Sequence, residues 1–376
     1  MSTNPRIYLD FNATTPLVAA AREAIEGVIA TGVAGNPSSI HADGRLARDR
    51  VERARNQVAA LLGRPREHIV FTSGGTEANT LGVLGLGAVV ERRGGPRAVA
   101  AAAIDHPSLR GAVAALVARG WEQRVLSVTA EGVLASLDLT GVGLVCASAV
   151  NHELGTRADL TALAASARAA GALLHIDAVQ AAGKLSLGSI DADAIAISSH
   201  KIGGPQGVGA LALAIDDALP LVDGGHQERG RRAGTENVIG IAGFGAAAAV
   251  MDLASWADVV ALGDRLETAL LAIEDARIHG AGAPRIGGTI NAGFRGALGE
   301  SVVVALDLAG VSVSTGAACT SGSIQPSPVL LATGLPSERA REAVRFSLGR
   351  STTAAEIDAV VGLLPAIVRR ARAHRK

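Results

Sequence analysis

The strongest constraint on the fold is the repeated alternation of short apolar runs with helical segments. Runs such as Leu173 to Ile176 and Ala194 to Ile197 are apolar throughout, which predicts strands buried on both faces of a sheet. Amphipathic segments such as Asp159 to Ala170 alternate with these strands along the chain. This repeat predicts an α/β fold in which helices cover both faces of a parallel sheet.

Composition excludes several classes of protein. The chain has 376 residues, 48% of them hydrophobic, which suffices for a large core and two domains. Its 35 basic and 35 acidic residues balance, so charge gives no reason to expect a nucleic acid or an anionic membrane as partner. The most apolar uncharged run, residues 237–251, is shorter than the roughly 20 residues that a membrane span needs. The N-terminus lacks the apolar stretch of a signal peptide, and the chain has two cysteines, which favours a reducing, cytoplasmic location.

A lysine and an aspartate stand at the ends of two predicted buried strands. The strand Ala194 to Ile197 leads into Lys201, and the strand Leu173 to Ile176 ends at Asp177. Burial favours the neutral amine, which can form a Schiff base with a carbonyl group. A carboxylate at the carboxyl end of a parallel strand faces the crevice where open α/β sheets bind ligands. Pyridoxal phosphate (PLP) requires this pair, because the lysine holds its aldehyde and the carboxylate keeps its ring nitrogen protonated.

Both residues also have structural interpretations. A lone lysine at a strand end often extends its ammonium back to solvent. Asp177 is also a candidate helix cap for the AVQAA segment that follows it. Gln180, three residues further on, is placed to donate to the phenolate oxygen of the same cofactor.

A glycine-rich turn is the second candidate site element. The strand Ile69 to Thr72 is followed by Gly74, Gly75 and Thr76 and then by a helix. Bare amides and a hydroxyl at a helix N-terminus can bind a phosphate group, although simple turn chemistry explains the same pattern. His106 and Asn151 also follow strands, so they should lie with Asp177 and Lys201 at one edge of the sheet.

Three further features carry candidate chemistry. Cys319 lies in a segment of small and polar residues, which predicts an exposed loop thiol with a reactive role, whereas Cys146 lies in an apolar strand and is expected in the core. Arg345, on a C-terminal strand, could bind a substrate carboxylate through its planar fork. The loop that contains Arg229, Arg231, Arg232 and Thr235 is either an anion site or a solvated basic loop.

Taken together, these motifs resemble the cysteine desulfurases of the NifS/IscS type, which are class-V, fold-type-I PLP enzymes. The similar segments run from YLDFNATTP to SLGRSTT and include TSGGTEAN, HIDAVQ, SSHKIGGP and RRAGTEN. The loop STGAACTSGS is similar to that of the first desulfurase group. Asp105 stands where the family usually has glutamate before His106, and Gln206 where a lysine is frequent; neither change removes a catalytic group.

The resemblance implies a role for each candidate residue. Lys201 would hold the cofactor, His106 would stack on its ring and move protons, and Cys319 would take the sulfur of L-cysteine as a persulfide. Asp177 and Gln180 would bind the ring, and Arg345 and Asn36 the substrate carboxylate. The remaining cofactor ligands would be Gly75, Thr76, Asn151, Ser198, His200 and, from the neighbouring subunit of a homodimer, Thr235.

The resemblance also implies an architecture and a pathway class. A large PLP-binding domain, residues 16–254, would contain a mostly parallel seven-stranded sheet. Residues 1–15 and 255–376 would form a smaller α+β domain that carries the cysteine loop. The sulfur would pass to an acceptor or scaffold protein in iron–sulfur cluster assembly or tRNA thiolation. The alternative is another class-V PLP enzyme, a selenocysteine lyase or an aminotransferase.

Overall fold

The computed structural model describes residues 6–316 and 325–373, and its architecture is a large sheet flanked by helices with a smaller sheet beside it. The strands are β1 (Ile7–Tyr8), β2 (Ile69–Thr72), β3 (Ala98–Ala102), β4 (Glu122–Leu126), β5 (Leu144–Ser148), β6 (Leu173–Asp177), β7 (Ala194–Ser198), β8 (Gly209–Leu213), β9 (Ala276–His279), β10 (Thr289–Phe294), β11 (Val311–Ser312) and β12 (Ala343–Ser347). The α-helices are α1 (Ala19–Ile29), α2 (Ala42–Leu62), α3 (Gly75–Arg92), α4 (Pro107–Val117), α5 (Leu160–Ala169), α6 (Val238–Ala249), α7 (Trp256–Leu271), α8 (Gly299–Leu308), α9 (Pro328–Ala332), α10 (Ser337–Ala340) and α11 (Ala354–Ala373).

The large sheet has seven strands in the order β2-β8-β7-β6-β5-β3-β4. Only β8 runs against its neighbours, β2 and β7; the other pairings in this sheet are parallel. The prediction of a mostly parallel seven-stranded sheet is therefore confirmed. In register, Asp177 lies beside Ser148 on β5 and Ala196 on β7, so the carboxyl ends of these strands meet at one edge.

Helices cover both faces of this sheet, as the apolar strands require. Along β2, Phe71 faces the core that contains α2 and α6, whereas Val70 faces the core that contains α3 and α4. Cys146, on β5, is fully buried in the second core, as predicted. The strands are therefore buried on both faces, and polar groups such as Asp177 lie at the end of a strand.

The second sheet is antiparallel, with the order β12-β10-β9, and β1 pairs with β11 beside it. It lies C-terminal in the chain, whereas every strand of the large sheet lies between residues 69 and 213. Asp10 bridges to Ser347 at the end of β12, which brings the N-terminal segment against the smaller sheet. The domain boundaries at 16–254 and 255–376 stay a prediction.

A buried ion pair fixes the basic loop against the large sheet. Arg55, on α2, donates to both carboxylate oxygens of Glu228 (2.7 and 2.9 Å), and Glu228 also accepts the backbone N–H of Phe71 (2.9 Å). Glu228 has a positive φ of 47°, which is uncommon for a residue with a side chain. The Arg55–Glu228 pair therefore holds a strained loop conformation next to β2, the strand that leads into the glycine-rich turn.

Among the helices of residues 6–316 and 325–373, none combines the length and the apolar character needed to cross a lipid bilayer.

Candidate active site

A cavity of about 810 Å³ opens at the carboxyl-end edge of the large sheet. Its walls come from the start of α3, the end of β6, the segment after β7, the start of α4, and β12 of the smaller sheet. It brings together most of the predicted site residues, namely Gly75, Thr76, His106, Asp177, Gln180, Ser198, His200, Lys201 and Arg345. The expectation that strand ends converge on one site is thus met for the majority of them.

Three predicted site residues are placed elsewhere. The Asn151 amide is buried: it donates to the Ile104 carbonyl (2.9 Å) and accepts from the N–H groups of Glu153 and Leu154 (2.9 Å each), so it braces a turn behind the cavity wall. Asn36 is exposed and accepts from the Ser38 N–H (2.9 Å). Thr235 is exposed on the basic loop. Cys319 lies outside the described residues.

Lys201 is held at the cavity by backbone carbonyl groups. Its ammonium donates to the carbonyl oxygens of Asn12 and Ala13, the latter at 2.7 Å. Burial, and next the positive charge of Arg345, lower the pKa of Lys201 to about 8. A substantial fraction of the amine is therefore neutral at mildly alkaline pH, which nucleophilic attack on an aldehyde requires.

Asp177 is buried at the end of β6, and its two oxygens have separate donors. The Val179 N–H donates to Oδ1 (3.0 Å), and the Asn79 side chain on α3 donates to Oδ2 (2.8 Å). Burial raises the pKa of Asp177, while these donors and the charges of His106 and Lys201 oppose the rise. The predicted alternative, an N-cap on a following helix, is wrong: residues 179–184 form turns.

The start of α3 forms an anion-binding wall. Gly74, at the N-cap position, offers no side-chain cap, so amides of the first turn stay available to a ligand. A Cβ added at Gly75 would lie 2.9 Å from Val179 Cγ2 and 3.3 Å from Ser198 Cβ, so a larger residue would require Val179 to move. Burial lowers the pKa of the neighbouring His200 to about 4, which makes its ring a neutral hydrogen-bonding group.

Arg345 closes the opposite wall of the cavity. Its guanidinium donates to Asp10 Oδ1 (2.8 Å) and to the His152 carbonyl (3.1 Å), while its buried Nε has no hydrogen-bond partner among the described residues. An arginine fixed by a carboxylate on one side retains a donor for a second carboxylate. The walls thus offer an anion site, an amine, a carboxylate and an arginine, which is the donor set that PLP and an amino-acid substrate require.

Comparisons with known proteins agree with this geometry. Residues 7–360 match the family model described as aminotransferase class-V. Cysteine desulfurases from Trichormus azollae and Klebsiella pneumoniae are 42% and 40% identical, over 98% of this chain and 94% of each relative. A solved NifS-like protein superposes with a TM-score of 0.87 at 30% identity, covering 97% of this chain and 100% of that one. A NifS-like protein from Rickettsia africae superposes with a TM-score of 0.85 at 28% identity, covering 97% of this chain and 99% of that one.

The chain belongs to the class-V aminotransferase family. The resemblance to cysteine desulfurases read from the motifs is confirmed, as is the fold expected of a fold-type-I enzyme. The family depends on PLP in general, so the amine, carboxylate and anion-binding wall described above are where class-V chemistry is expected. The relatives do not favour the alternative of a selenocysteine lyase or an aminotransferase.

Several residues of this class-V site escaped the sequence analysis. Asp10 and Asn12 precede the large sheet in the chain, and their polar side chains beside apolar Leu9 and Phe11 were the available signal. Lys184 donates to Gln180 Oε1 (3.2 Å), which turns the Gln180 amide nitrogen towards the Asn12 carbonyl (3.0 Å). Asn79 ends the motif TSGGTEAN, but the sequence gives no sign that its side chain contacts Asp177 and Ser108.

Proposed function

We propose that this protein is a PLP-dependent cysteine desulfurase that converts L-cysteine to L-alanine. The observation that carries the proposal is the 42% identity to a cysteine desulfurase over 98% of the chain. The cavity supports it independently, since Lys201, Asp177 and the uncapped start of α3 surround one space. No specific observation favours a second function.

The residues present fit the cofactor. Lys201 would hold its aldehyde, Asp177 its ring nitrogen, and Gln180 its phenolate oxygen. Gly75, Thr76, Ser198 and His200 would hold its phosphate group. When bound, PLP supplies an electron sink for bonds broken at the amino acid. Thr235 would contribute from the partner of a homodimer, and its exposed position leaves it available for such a contact.

The protein's own groups would bind and orient the substrate. Arg345 would bind the carboxylate of L-cysteine through its guanidinium, with Asp10 fixing that group from behind. The resemblance implies that Asn36 contacts the substrate carboxylate and that Asn151 contacts the cofactor. Asn151 instead supports the wall, because its amide already bonds to three backbone groups. Lys201, with a pKa of about 8, can take up and release a proton near neutral pH.

Cys319 would accept the sulfur atom. Its thiolate attacks the sulfur of the bound cysteine, the carbon–sulfur bond breaks, and a proton replaces sulfur at carbon. L-Cysteine and an enzyme thiol thus become L-alanine and an enzyme persulfide, with no external oxidant. The persulfide would pass to an acceptor or scaffold protein that serves iron–sulfur cluster assembly or tRNA thiolation in the cytoplasm.

Turnover of L-cysteine tests this function. PLP-loaded protein is incubated with L-cysteine and a thiol reductant, and alanine and sulfide are measured together. We expect equal amounts of both products from the wild type and from a Cys146→Ala control, whose altered cysteine is buried in the core. Cys319→Ser should lose both.

Other product patterns would overturn the proposal. Sulfide with pyruvate, unchanged in Cys319→Ser, would indicate an eliminating lyase. Transfer of the amino group to a keto acid, with no sulfide formed, would indicate an aminotransferase. Alanine with selenide from selenocysteine, and no reaction with L-cysteine, would indicate a selenocysteine lyase.

A further inference from the structure

A continuous chain of hydrogen bonds joins His106 and Asp177, two titratable residues that line the cavity. His106 Nδ1 contacts the Ser108 hydroxyl at 2.8 Å, and Asn79 Nδ2 donates to that hydroxyl oxygen at 3.0 Å. The same Asn79 nitrogen donates to Asp177 Oδ2 at 2.8 Å. On its other side, Asn79 Oδ1 lies 2.9 Å from Nε2 of the buried His175. Asn79 is itself fully buried, so each of these contacts replaces one to water.

The orientation of Asn79 follows from its neighbours. Asp177 is buried and accepts from the Val179 N–H, so it requires donors and the Asn79 nitrogen must face it. The Asn79 oxygen therefore faces His175, whose Nε2 must carry the proton. Burial lowers the pKa of His175 to about 3, which keeps this ring neutral. One asparagine is thus locked between a donor and an acceptor, and cannot flip without breaking both contacts.

The tautomer of His106 follows from a backbone group. His106 is the N-cap residue of α4, and the Ser108 N–H donates to its Nδ1 (3.1 Å). A nitrogen that accepts from an N–H carries no proton, so the neutral ring has its proton on Nε2. The Ser108 hydroxyl then donates to the same Nδ1, and the bond that it receives from Asn79 strengthens it as a donor.

The charges around His106 do not reverse this assignment. Burial is the largest influence and lowers its pKa, Asp177 opposes that change, and Lys201 and Arg110 add to it. The His152 ring lies edge-on with its centroid 5.0 Å away, and burial lowers its pKa well below the usual value, so it is neutral. Protonation of Nδ1 would also leave the Ser108 N–H facing another donor.

We propose that Asn79 is a positioning residue that links Asp177 and His106. It holds Asp177 as a hydrogen-bond acceptor and, through Ser108, holds His106 as a neutral ring with its proton on Nε2. His106 then serves the reaction as a hydrogen-bond donor and a stacking surface. It does not collect the substrate's proton, because its cavity-side nitrogen is already protonated. Lys201 is left as the group that moves protons. This inference rests on the proposed function for its catalytic part only.

The tautomer is measured without turnover. In ¹⁵N-labelled, PLP-loaded protein, long-range proton–nitrogen correlation spectra distinguish protonated from bare ring nitrogens, and a His106→Gln variant assigns the His106 signals. Because burial lowers the pKa of His106 from its usual 6.5, we expect Nε2 protonated and Nδ1 bare from pH 7 to pH 9. A protonated Nδ1 in this range would overturn the proposal even if the protein turns over cysteine.

The catalytic part is tested by replacing the ring. Glutamine can donate from a comparable position but does not titrate, so His106→Gln should keep kcat within about 10-fold of the wild type, with the same pH profile. If His106 moves the proton, kcat of the same variant should instead fall by about 100- to 10,000-fold, and its pH profile should lose one limb. A wild type that does not turn over L-cysteine would refute the proposed function but leave the tautomer measurement valid.

The role of Asn79 is tested with a near-isosteric change. Asn79→Asp keeps an oxygen towards His175 but places a carboxylate against Asp177 and removes both donated bonds. We expect weaker PLP binding, by about 10-fold or more, and a shifted pH titration of the cofactor's visible absorption. The matched control is Asn56→Asp, an equal charge change on the exposed side of α2. Equal PLP affinity and equal titrations in both variants would show that Asn79 does not position Asp177.

Discussion

Two lysines near the cavity have lowered pKa values, and only one of them suits covalent chemistry. Burial lowers the pKa of Lys201 to about 8 and that of Lys184 to about 7. Lys201 borders the cavity that also contains Asp177 and the anion-binding wall. Lys184 does not border that cavity; it lines a neighbouring cavity of about 280 Å³, which Lys201 also borders, and its ammonium lies 5.2 Å from the centre of the Trp256 ring.

The difference between the lysines lies in their surroundings. Among the described residues no carboxylate influences Lys184; the charges that act on it are Lys201, Arg350 and Arg345, all positive. Lys201 is influenced by Asp10 and Asp177 as well as by Arg345. A low pKa therefore reports desolvation at both sites, whereas the carboxylate and the anion-binding wall distinguish Lys201 as the proposed site of covalent attachment. Lys184 contacts the proposed cofactor site through its bond to Gln180.

The largest expected effect is that of Lys201→Ala. Without the amine, we expect the cofactor's visible absorption to disappear and kcat to fall by at least about 1000-fold, since covalent attachment is lost. Absorption spectra and alanine formation measure both. Retained turnover by this variant, with Lys184→Ala inactive instead, would reverse the roles given to the two lysines.

A smaller effect is expected at Arg345, the largest charge acting on Lys201. Arg345→Lys keeps the charge but loses the planar fork, so kcat/KM for L-cysteine should fall by about 10- to 100-fold, mainly through KM. Arg345→Gln should in addition raise the pKa of Lys201, which the pH dependence of PLP binding to apoprotein reports. An unchanged KM in Arg345→Lys would place the substrate carboxylate elsewhere.

Lys184→Met should have a weaker effect on catalysis. Gln180 would lose one donor to its oxygen, so we expect PLP affinity to fall by about 10-fold, with the cofactor still attached. Arg119→Met, an exposed change after α4, is the control. If PLP affinity is equal in both variants, the Lys184–Gln180 contact does not position the cofactor.

The smallest effect is a pH dependence of stability. Because the folded-state pKa of Lys184, about 7, lies below its usual value of 10.5, the unfolded chain binds more protons than the folded one between these values. Lys184 therefore makes the free energy of unfolding rise with pH from about 7 to about 10. Denaturant unfolding of wild type and Lys184→Met at pH 7 and pH 9 should show a rise that is smaller in the variant. Equal rises would mean that Lys184 is not desolvated.

The comparison also shows how far the sequence could predict this site. Lys201, Asp177 and Gly75 were predictable because each follows an apolar strand and parallel strands place such residues at one edge. Lys184 and Asn79 were not, because their roles depend on which side chains of other elements they contact. Asn151 followed a strand as well, yet its amide turned to the backbone of the next turn. Strand ends predict where a residue lies, but not which way its side chain points.

The most direct test of the central claim identifies the lysine that holds the cofactor. The chain has three lysines, Lys184, Lys201 and Lys376. PLP-loaded protein is reduced with borohydride, which makes the attachment permanent, and is then digested and sequenced by mass spectrometry. We predict the added pyridoxyl phosphate mass on Lys201 alone. The mass on Lys184, or an equal distribution between the two, would contradict the account.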